Sequence, residues 1–414
     1  MAASLLVRQE QAAVADARSV VANEGALPTD LLTEVLLRVR AKALCRLRLV
    51  CRSWRSLTSD PCFARAHSSR HQLFVGRYYV GNGEHKIHIF DMFGNTVKRI
   101  CGLGEHMMHL STHADLVCVK RRRTLEVEDG DDGRLLSQDL LLNPATGAIH
   151  VLPDVSISST EVTTCFLGRV PSTGEYKVLR IVQYYGGPGA EVMFAYEVIT
   201  LDASRQSLRV RVMPNPPTDV SPYVRYVVVV CEIAYFFSHP VDTIVMLDLA
   251  TEEWRPSVAQ CPPMNRDTVA LYRLNGRLVL QNYNTDDSSM DLWFLMDADK
   301  ALWTKRYSMH CGPNWKNHPY PLVVLDDGRL VVATGWPPVL RYFDPRTCTW
   351  ADLVAELDEE YPIVFYEDNL LCPGLNPIPF SCVAAAIGTD HKLELTKEGE
   401  TENPIALYPW LPLG

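Results

Sequence analysis

The histidines are the side chains of this sequence whose spacing comes nearest to a metal site. Two pairs stand out, His85 with His88 and His106 with His109, and Glu105 precedes the second pair. A zinc site needs at least three protein ligands, and neither pair shows the H-E-x-x-H spacing or an evident third ligand. We therefore interpret these histidines as surface or loop residues, and we predict neither a metal site nor a cofactor.

The twelve cysteines include no C-x-x-C pair, which is the spacing typical of zinc and thiol redox sites. We interpret them as reduced thiols, which favours a cytosolic or nuclear protein because extracellular chains usually pair their cysteines. The sequence also lacks a G-x-S-x-G elbow, a P-loop and a G-x-G-x-x-G fingerprint. We predict no catalytic residue.

Composition and charge narrow the class of partner. The 414 residues are 47% apolar and 21% charged, which is typical of a folded globular protein. The longest apolar run, residues 227–237, contains Glu232 and is too short to span a membrane, and no signal peptide is evident. The net charge is −9, but residues 27–67 hold eight basic residues against three acidic ones. Such a basic segment favours either a nucleic acid or an acidic protein as partner.

Residues 27–67 have the hydrophobic period of short amphipathic helices. A first helix is predicted to begin near Thr29, with Pro28 in the position that the first turn tolerates. Its apolar stripe consists of Leu31, Leu32, Val35, Leu36 and Val39. A second run consists of Leu44, Leu47, Val50, Cys51, Trp54 and Leu57, and it ends at residues 59–61. About forty residues bury little apolar surface alone, so this module is expected to lean on a partner.

The segment LPTDLLTEVLLRVRAKALCRLRLVCRSWRSLTSDPCF, residues 27–63, resembles the F-box motif. The resemblance implies a three-helix module over residues 26–68 that docks onto the acidic Skp adaptor and, through it, a cullin. It assigns the adaptor contact to Leu27, Pro28, Leu31, Leu32, Val35, Leu36, Leu44, Val50, Cys51, Trp54 and Leu57. The family usually has Leu-Pro where this chain has Val39-Arg40, so the first helix is expected to run slightly further.

Two other interpretations of this module remain. It could be a helical cap on the following domain, or a helix-turn-helix that reads DNA. A DNA-reading helix needs polar or basic residues aimed at base edges, whereas the most distinctive residues here are Val50, Cys51 and Trp54. We therefore expect no nucleic-acid partner and no membrane partner.

Beyond residue 70 the pattern changes to short β-type runs, for example residues 72–80, 87–90, 176–183 and 224–230. One turn recurs six times, at residues 91–97, 143–149, 202–208, 248–254, 297–303 and 344–350. Each copy begins with Asp or Asn, follows an apolar residue, and has another apolar residue six positions later. An Asp or Asn that starts a turn can accept a hydrogen bond from its own backbone two residues on, so each copy predicts a hairpin. A second hairpin signature, Gly-Arg-Leu, begins at Gly133, Gly276 and Gly328.

A β-unit that repeats every 46 to 59 residues has the length of one four-stranded propeller blade. We predict an α+β multidomain chain in which the F-box precedes an all-β propeller of about six blades; a pair of β-sandwiches is the alternative. The phrases NPATGAIHVLP, TGEYKVLRIV, DLATEEW and DGRLVV also resemble plant F-box-associated β-domains. The predicted segments are a flexible N-terminus (1–25), the F-box (26–68), the β-domain (72–390) and a C-terminal tail (391–414).

Two features of the β-domain bear on partners. Lys120 to Arg123 could be a nuclear-localisation signal, but five acidic residues follow by position 132, so a charged hairpin is the simpler interpretation. The clustered aromatics include both core residues and potential partner contacts on propeller loops, and they are Tyr78, Tyr79, Tyr184, Tyr185, Trp336 and Tyr361.

Three functions fit the sequence. The resemblance favours a non-catalytic substrate-recognition subunit of an SCF (Skp-cullin-F-box) ubiquitin ligase, which holds the Skp adaptor with its F-box and an unknown protein substrate with its β-domain. A propeller enzyme would instead place a metal cluster in its central channel. An F-box protein that acts outside ubiquitination is the third.

Overall fold

The computed structural model describes residues 28–366, except for 40, 82–83, 102–106, 114–115, 126–133, 145–148, 155–159, 186–190, 203–206, 239–241, 257–258, 264–268, 285, 312–318, 336, 355–356 and 358. Leu27, Glu105, His106, Gly133, Trp336, the predicted N-terminal segment and the predicted C-terminal tail therefore lie outside the described residues.

The N-terminal module contains one helix more than the predicted three. Its described helices are α1 (Thr29–Leu36), α2 (Ala41–Leu47), α3 (Arg52–Thr58) and α4 (Pro61–Arg70). The fourth begins at Pro61 because the side chain of Asp60 caps it, accepting from the backbone N–H groups of Cys62 at 2.6 Å and Phe63 at 3.4 Å. The sequence signal Asp60-Pro61 thus starts a helix as well as ending the previous one.

The first helix does not run on, contrary to the expectation from Arg40. It ends at Leu36, and the backbone then tightens into bonds from Arg38 N–H to the Val35 carbonyl (3.1 Å) and from Val39 N–H to the Leu36 carbonyl (3.0 Å). The module has a hydrophobic core of its own, separate from those of the β-domain. Its buried members are Leu32, Leu36, Leu37, Leu44 and Phe63.

The described residues form twenty-five strands in six sheets. In each sheet four strands pair in sequence with their neighbours, and one sheet has a fifth strand. Sheet 1 contains β25 (Glu359–Tyr366), β1 (Leu73–Gly81), β2 (Glu84–Asp91) and β3 (Thr96–Ile100). Sheet 2 contains β4 (Met107–His113), β5 (Leu116–Leu125), β6 (Arg134–Leu142) and β7 (Ile149–Val151). Sheet 3 contains β8 (Thr160–Arg169), β9 (Tyr176–Tyr185), β10 (Val192–Asp202) and β11 (Ser207–Met213).

Sheet 4 contains β12 (Val227–Val230), β13 (Ile233–Ser238), β14 (Thr243–Asp248) and β15 (Glu253–Trp254), and β16 (Ala259–Gln260) also pairs with β14. Sheet 5 contains β17 (Val269–Leu274), β18 (Arg277–Asn284), β19 (Ser289–Asp297) and β20 (Leu302–His310). Sheet 6 contains β21 (Tyr320–Val324), β22 (Leu330–Thr334), β23 (Val339–Asp344) and β24 (Thr349–Val354).

The six sheets are the blades of a closed propeller, as predicted. The last strand, β25, pairs with the first, β1, so that Leu73 lies opposite Tyr366 and Phe74 opposite Phe365. Each of the six gaps between neighbouring blades is filled by one hydrophobic cluster. Six separate sheets, with the last described strand completing the sheet of β1, rule out a pair of sandwiches.

All six repeated turns join the third strand of a blade to the fourth. In the turns of blades 4 and 6 the aspartate caps the turn as predicted. The Asp248 Oδ1 accepts from Ala250 N at 2.9 Å, and the Asp344 Oδ1 accepts from Arg346 N at 2.9 Å. In three turns the residue six positions later is a tryptophan that donates to the preceding blade. The bonds run from Trp254 Nε1 to the Pro214 carbonyl, from Trp303 Nε1 to the Gln260 carbonyl and from Trp350 Nε1 to the His310 carbonyl, each at 2.9 Å.

The propeller has two distinct ends. Because neighbouring strands are antiparallel, the connections 1–2 and 3–4 of each blade lie at one end and the connections 2–3 at the other. We call the first the entry face, since the six repeated turns lie there and α4 enters β1, the second strand of its blade, at that end. The opposite face carries the 2–3 connections and the connections between blades.

Candidate functional site: the docking helix and the opposite propeller face

Helix α1 exposes half of its apolar stripe. Leu31 and Val35 are 53% and 51% exposed, whereas Leu32 and Leu36 are buried in the core of the module. Residues four apart lie on the same face of a helix, so Leu31 and Val35 form one apolar surface on α1. An exposed apolar surface of this kind is suited to contact with a partner.

The other residues assigned to the adaptor contact divide in the same way. Pro28, Val50 and Cys51 are exposed, Leu44 is buried in the module core, and Trp54 and Leu57 are half-buried against that core. The buried ones support the surface of the module from beneath, and the exposed ones are accessible from outside.

Leu49 is a residue that the sequence analysis missed. It is 78% exposed in the corner between α2 and α3, next to Val50. The helical period placed it on no apolar face. The available signal was an apolar side chain immediately before Val50, a residue of the F-box pattern.

The charge of the module is also at its surface. Arg38, Arg46, Arg52 and Arg55 are exposed. Arg48 is half-buried, and its Nη2 donates to the Thr58 carbonyl at 2.7 Å, which ties the corner after α2 to the end of α3. The exposed guanidinium groups would favour approach of an acidic surface.

The exposed thiol of Cys51 precedes α3 within this surface. Its Sγ lies 3.1 Å from the Ser53 hydroxyl. That hydroxyl and the backbone N–H of Trp54 lower the pKa of Cys51 below its ordinary value, because both favour the thiolate. Cys51 is thus polarised as well as accessible.

The centre of the propeller is a cavity of about 120 Å³ lined by residues of all six innermost strands. Its polar groups bond to each other: the Thr112 hydroxyl donates to the Phe365 carbonyl at 2.7 Å, and Arg273 Nη2 donates to the Thr112 carbonyl at 2.8 Å. Arg273 Nη1 also contacts Nδ1 of His113. Burial, together with the positive charges of Arg273 and Arg169, lowers the pKa of His113 to about 3, so this imidazole is neutral at pH 7.

The predicted histidine pairs do not form a metal site in the described part of the chain. His85 and His88 lie in strand β2, three residues apart, so their side chains point to opposite faces of the sheet. Both are buried, which corrects their interpretation as surface or loop residues. His109 lies in β4. Among the residues that the structure describes, no group of three or more His, Cys, Asp and Glu could hold a metal.

Buried ion pairs hold blades 2, 3 and 4 together. Arg180 and Glu197 pair within blade 3 at 2.6 Å, and Arg180 also approaches Asp139 of blade 2 at 3.7 Å. Glu252, in the repeated turn of blade 4, accepts from Lys177 of blade 3 at 2.9 Å. Burial opposes the charge of Glu252, but Lys177 and the nearby arginines outweigh it and lower the carboxyl pKa. These pairs are a structural feature of the blade interfaces.

The basic run from Lys120 lies in the predicted hairpin, β5 with β6. Lys120 is opposite Asp139 in the register, and its buried ammonium group donates to the Thr163 carbonyl at 3.1 Å. The acidic residues that follow lie outside the described residues, so their part in the hairpin stays a prediction.

The opposite face of the propeller exposes an apolar patch on blade 3 and on the connection to blade 4. Its exposed members are Tyr185, Val192, Met193, Tyr223 and Val224. Tyr185 lies opposite Val192 in the sheet, and Tyr223 packs edge-on against Phe194 with ring centroids 6.2 Å apart. Val224 also lines the central cavity, so the patch reaches the mouth of the channel. We call these five residues the blade 3 patch.

The other aromatics named from the sequence are less informative. Tyr184 is half-buried, and half-buried Tyr78 stacks on His88 at 4.6 Å. The side chains of Tyr79 and Tyr361 lie outside the described residues.

Comparison with known families decides what the module and the propeller are. Residues 26–65 match the F-box domain, and residues 96–352 match the F-box associated beta propeller domain. The chain belongs to this F-box propeller family. The F-box propeller chain is similar to curated F-box proteins of Arabidopsis thaliana. It is 22% identical to a putative F-box protein over 67% of this chain and 70% of that one, and 24% identical to an F-box protein over 79% of this chain and 81% of that one.

In the part of the chain that the structure describes, no helix has the length and apolar character of a membrane span.

Proposed function

We propose that this F-box propeller protein is the substrate-recognition subunit of an SCF ubiquitin ligase. Its F-box binds a Skp adaptor and through it a cullin, its propeller binds a protein substrate, and catalysis belongs to other subunits. The observation that carries the proposal is the exposed pair Leu31 and Val35 on the first helix of a matched F-box.

Charge supports an acidic adaptor. The module exposes four arginines, and opposite charge raises the rate of encounter before apolar contact forms. Affinity then comes from burying Leu31, Val35 and their exposed neighbours, since aliphatic side chains give about 1.5 to 3 kcal/mol each when fully buried.

The topology supports a substrate on the opposite face. The F-box joins the propeller at the entry face, so the opposite face is free of the connection to the ligase. The blade 3 patch lies there, and tyrosines such as Tyr185 and Tyr223 are typical of interface hot spots. We therefore place the substrate contact on the blade 3 patch.

The adaptor contact is tested by co-purification with a Skp adaptor. The variant Leu31→Asp/Val35→Asp buries two carboxylates in the proposed interface, so adaptor capture should fall at least tenfold. The matched control is Leu302→Asp/Val212→Asp, because those propeller residues are 53% and 57% exposed and of the same types. The control should bind like the native chain. Undiminished capture by the docking variant would refute the proposed contact.

A further inference from the structure

Two histidines, His67 in α4 and His71 directly after it, contact the backbone just after the end of α1. His67 Nε2 lies 2.8 Å from the Val39 carbonyl, and His71 Nε2 lies 3.0 Å from the Leu37 carbonyl. Their rings stack with centroids 4.2 Å apart. A carbonyl only accepts, so each Nε2 carries its proton and donates it. The two imidazoles thus satisfy carbonyls that a helix end leaves without partners.

The His67 contact is buried. The His67 residue is 1% exposed, and burial lowers its pKa to about 4, so it is neutral at pH 7. A third contact between the same helices is the ion pair of Arg70 with Glu34, at 3.1 Å, but both side chains are largely exposed and such pairs stabilise little. The specific contacts are therefore the two histidine bonds, from His67 to Val39 and from His71 to Leu37. We call these two bonds the clasp.

The clasp coincides with the irregular position of the F-box pattern. The family usually has Leu-Pro where this chain has Val39-Arg40, and a proline would fix the backbone φ at the corner after α1. Here the side chains of His67 and His71 hold the corner by hydrogen bonds to the carbonyls of Val39 and Leu37. The ordinary helix end at Leu36, in spite of the missing proline, agrees with this.

The same helix leads into the propeller. Only His71 and Gln72 separate α4 from β1, and Gln72 is buried with its amide donating to the Ser69 carbonyl at 2.8 Å. The clasp therefore ties the exposed face of α1 to the helix that carries the substrate domain.

We propose that His67 and His71 are positioning residues for adaptor binding, which hold the docking face of α1 in place of the family's proline. This inference rests on the proposed function. Its chemistry is specific: what matters is an N–H donor at each Nε2 position, directed at the carbonyls of Val39 and Leu37.

The test uses the full chain and three variants. His67→Leu/His71→Leu removes both donors at similar size, and it should weaken adaptor affinity about tenfold, as expected for two lost hydrogen bonds. His67→Gln/His71→Gln keeps an amide donor on each side chain and should stay within about threefold of native affinity. Adding Val39→Leu/Arg40→Pro to the leucine variant should restore most of the loss, because the proline then holds the corner.

Hydrogen exchange of the α1 amides is the second readout, and it needs no adaptor. Exchange should rise in the leucine variant and return with the proline, while exchange of the propeller strands stays unchanged. The inference is overturned if the leucine variant binds like the native chain, or if the proline fails to restore binding. If the native chain binds no adaptor, the proposed function fails, and the exchange of α1 alone then decides whether the clasp exists.

Discussion

Single indole groups join neighbouring blades of this propeller. Trp303 donates from the repeated turn of blade 5 to the Gln260 carbonyl of blade 4. Trp303→Phe keeps a ring but removes the donor, so the free energy of unfolding should fall by about 1 kcal/mol. Trp293→Phe is the matched control, because the indole N–H of Trp293 has no partner in the part of the chain that the structure describes. Urea unfolding measures both, and equal losses would contradict a role for the bond.

His113 should make the stability of the propeller depend on pH. Its folded pKa is about 3, far below the 6.5 of a free imidazole, so the unfolded chain binds the proton first. The contribution of His113 is complete above about pH 6.5 and is lost as the pH falls towards 3. Between pH 7.5 and 5 the melting temperature should therefore drop less for His113→Gln than for the native chain. An identical drop in both would contradict the assignment.

Sequence reasoning assigned residues to the adaptor contact, but it did not separate the exposed ones from the buried ones. The stripe from Leu31 to Leu36 is apolar on two adjacent faces, and both faces have the helical period. Which one is exposed depends on Leu44 and Phe63, which come from other helices and bury Leu32 and Leu36. Local pattern carries no information on that packing.

Among the elements, the gap between blades 3 and 4 leaves no room for a side chain at Gly168. Gly168 lies in β8, and a Cβ there would come within 2.8 Å of Val229 Cγ1 and 2.9 Å of the Cys231 carbonyl. The carbonyl belongs to a backbone that cannot swing aside, so Gly168→Ala should destabilise the propeller by about 1 to 3 kcal/mol. Thermal unfolding measures it, with Thr164→Ala on the same strand as control. An unchanged melting temperature would contradict the close packing of blades 3 and 4 at Gly168.

The repeated turns were predictable as elements because each has its own local chemistry. An aspartate such as Asp248 caps its turn through the backbone two residues on, and this requires nothing from the rest of the chain. Helix α4 was missed although Asp60 and Pro61 are an ordinary helix start, because the same residues also end the preceding run. The closing strand β25 carries no repeated turn, so the repeat could not reveal it.

At the scale of the whole molecule, the ring depends on its last strand. β25 supplies the innermost strand of blade 1, and its Tyr366 and Ile363 are buried. A chain that ends at residue 358 should lose cooperative unfolding of the propeller, because β1 would expose an unpaired inner edge. The control ends at residue 390 and should unfold like the full chain. Circular dichroism during heating separates the two, and a cooperative transition in the shorter chain would contradict the closure.

The proposed receptor has two ends, a docking helix that leads to the entry face and the blade 3 patch on the opposite face. Ubiquitination by a reconstituted cullin complex tests this union most directly, with proteins captured by proximity labelling as the targets. We expect that at least one captured protein is ubiquitinated in the presence of the native chain. The same protein should not be ubiquitinated with Leu31→Asp/Val35→Asp or with Tyr223→Asp. Modification of none, while the native chain stays bound to the adaptor, would contradict it and favour an F-box protein that acts outside ubiquitination.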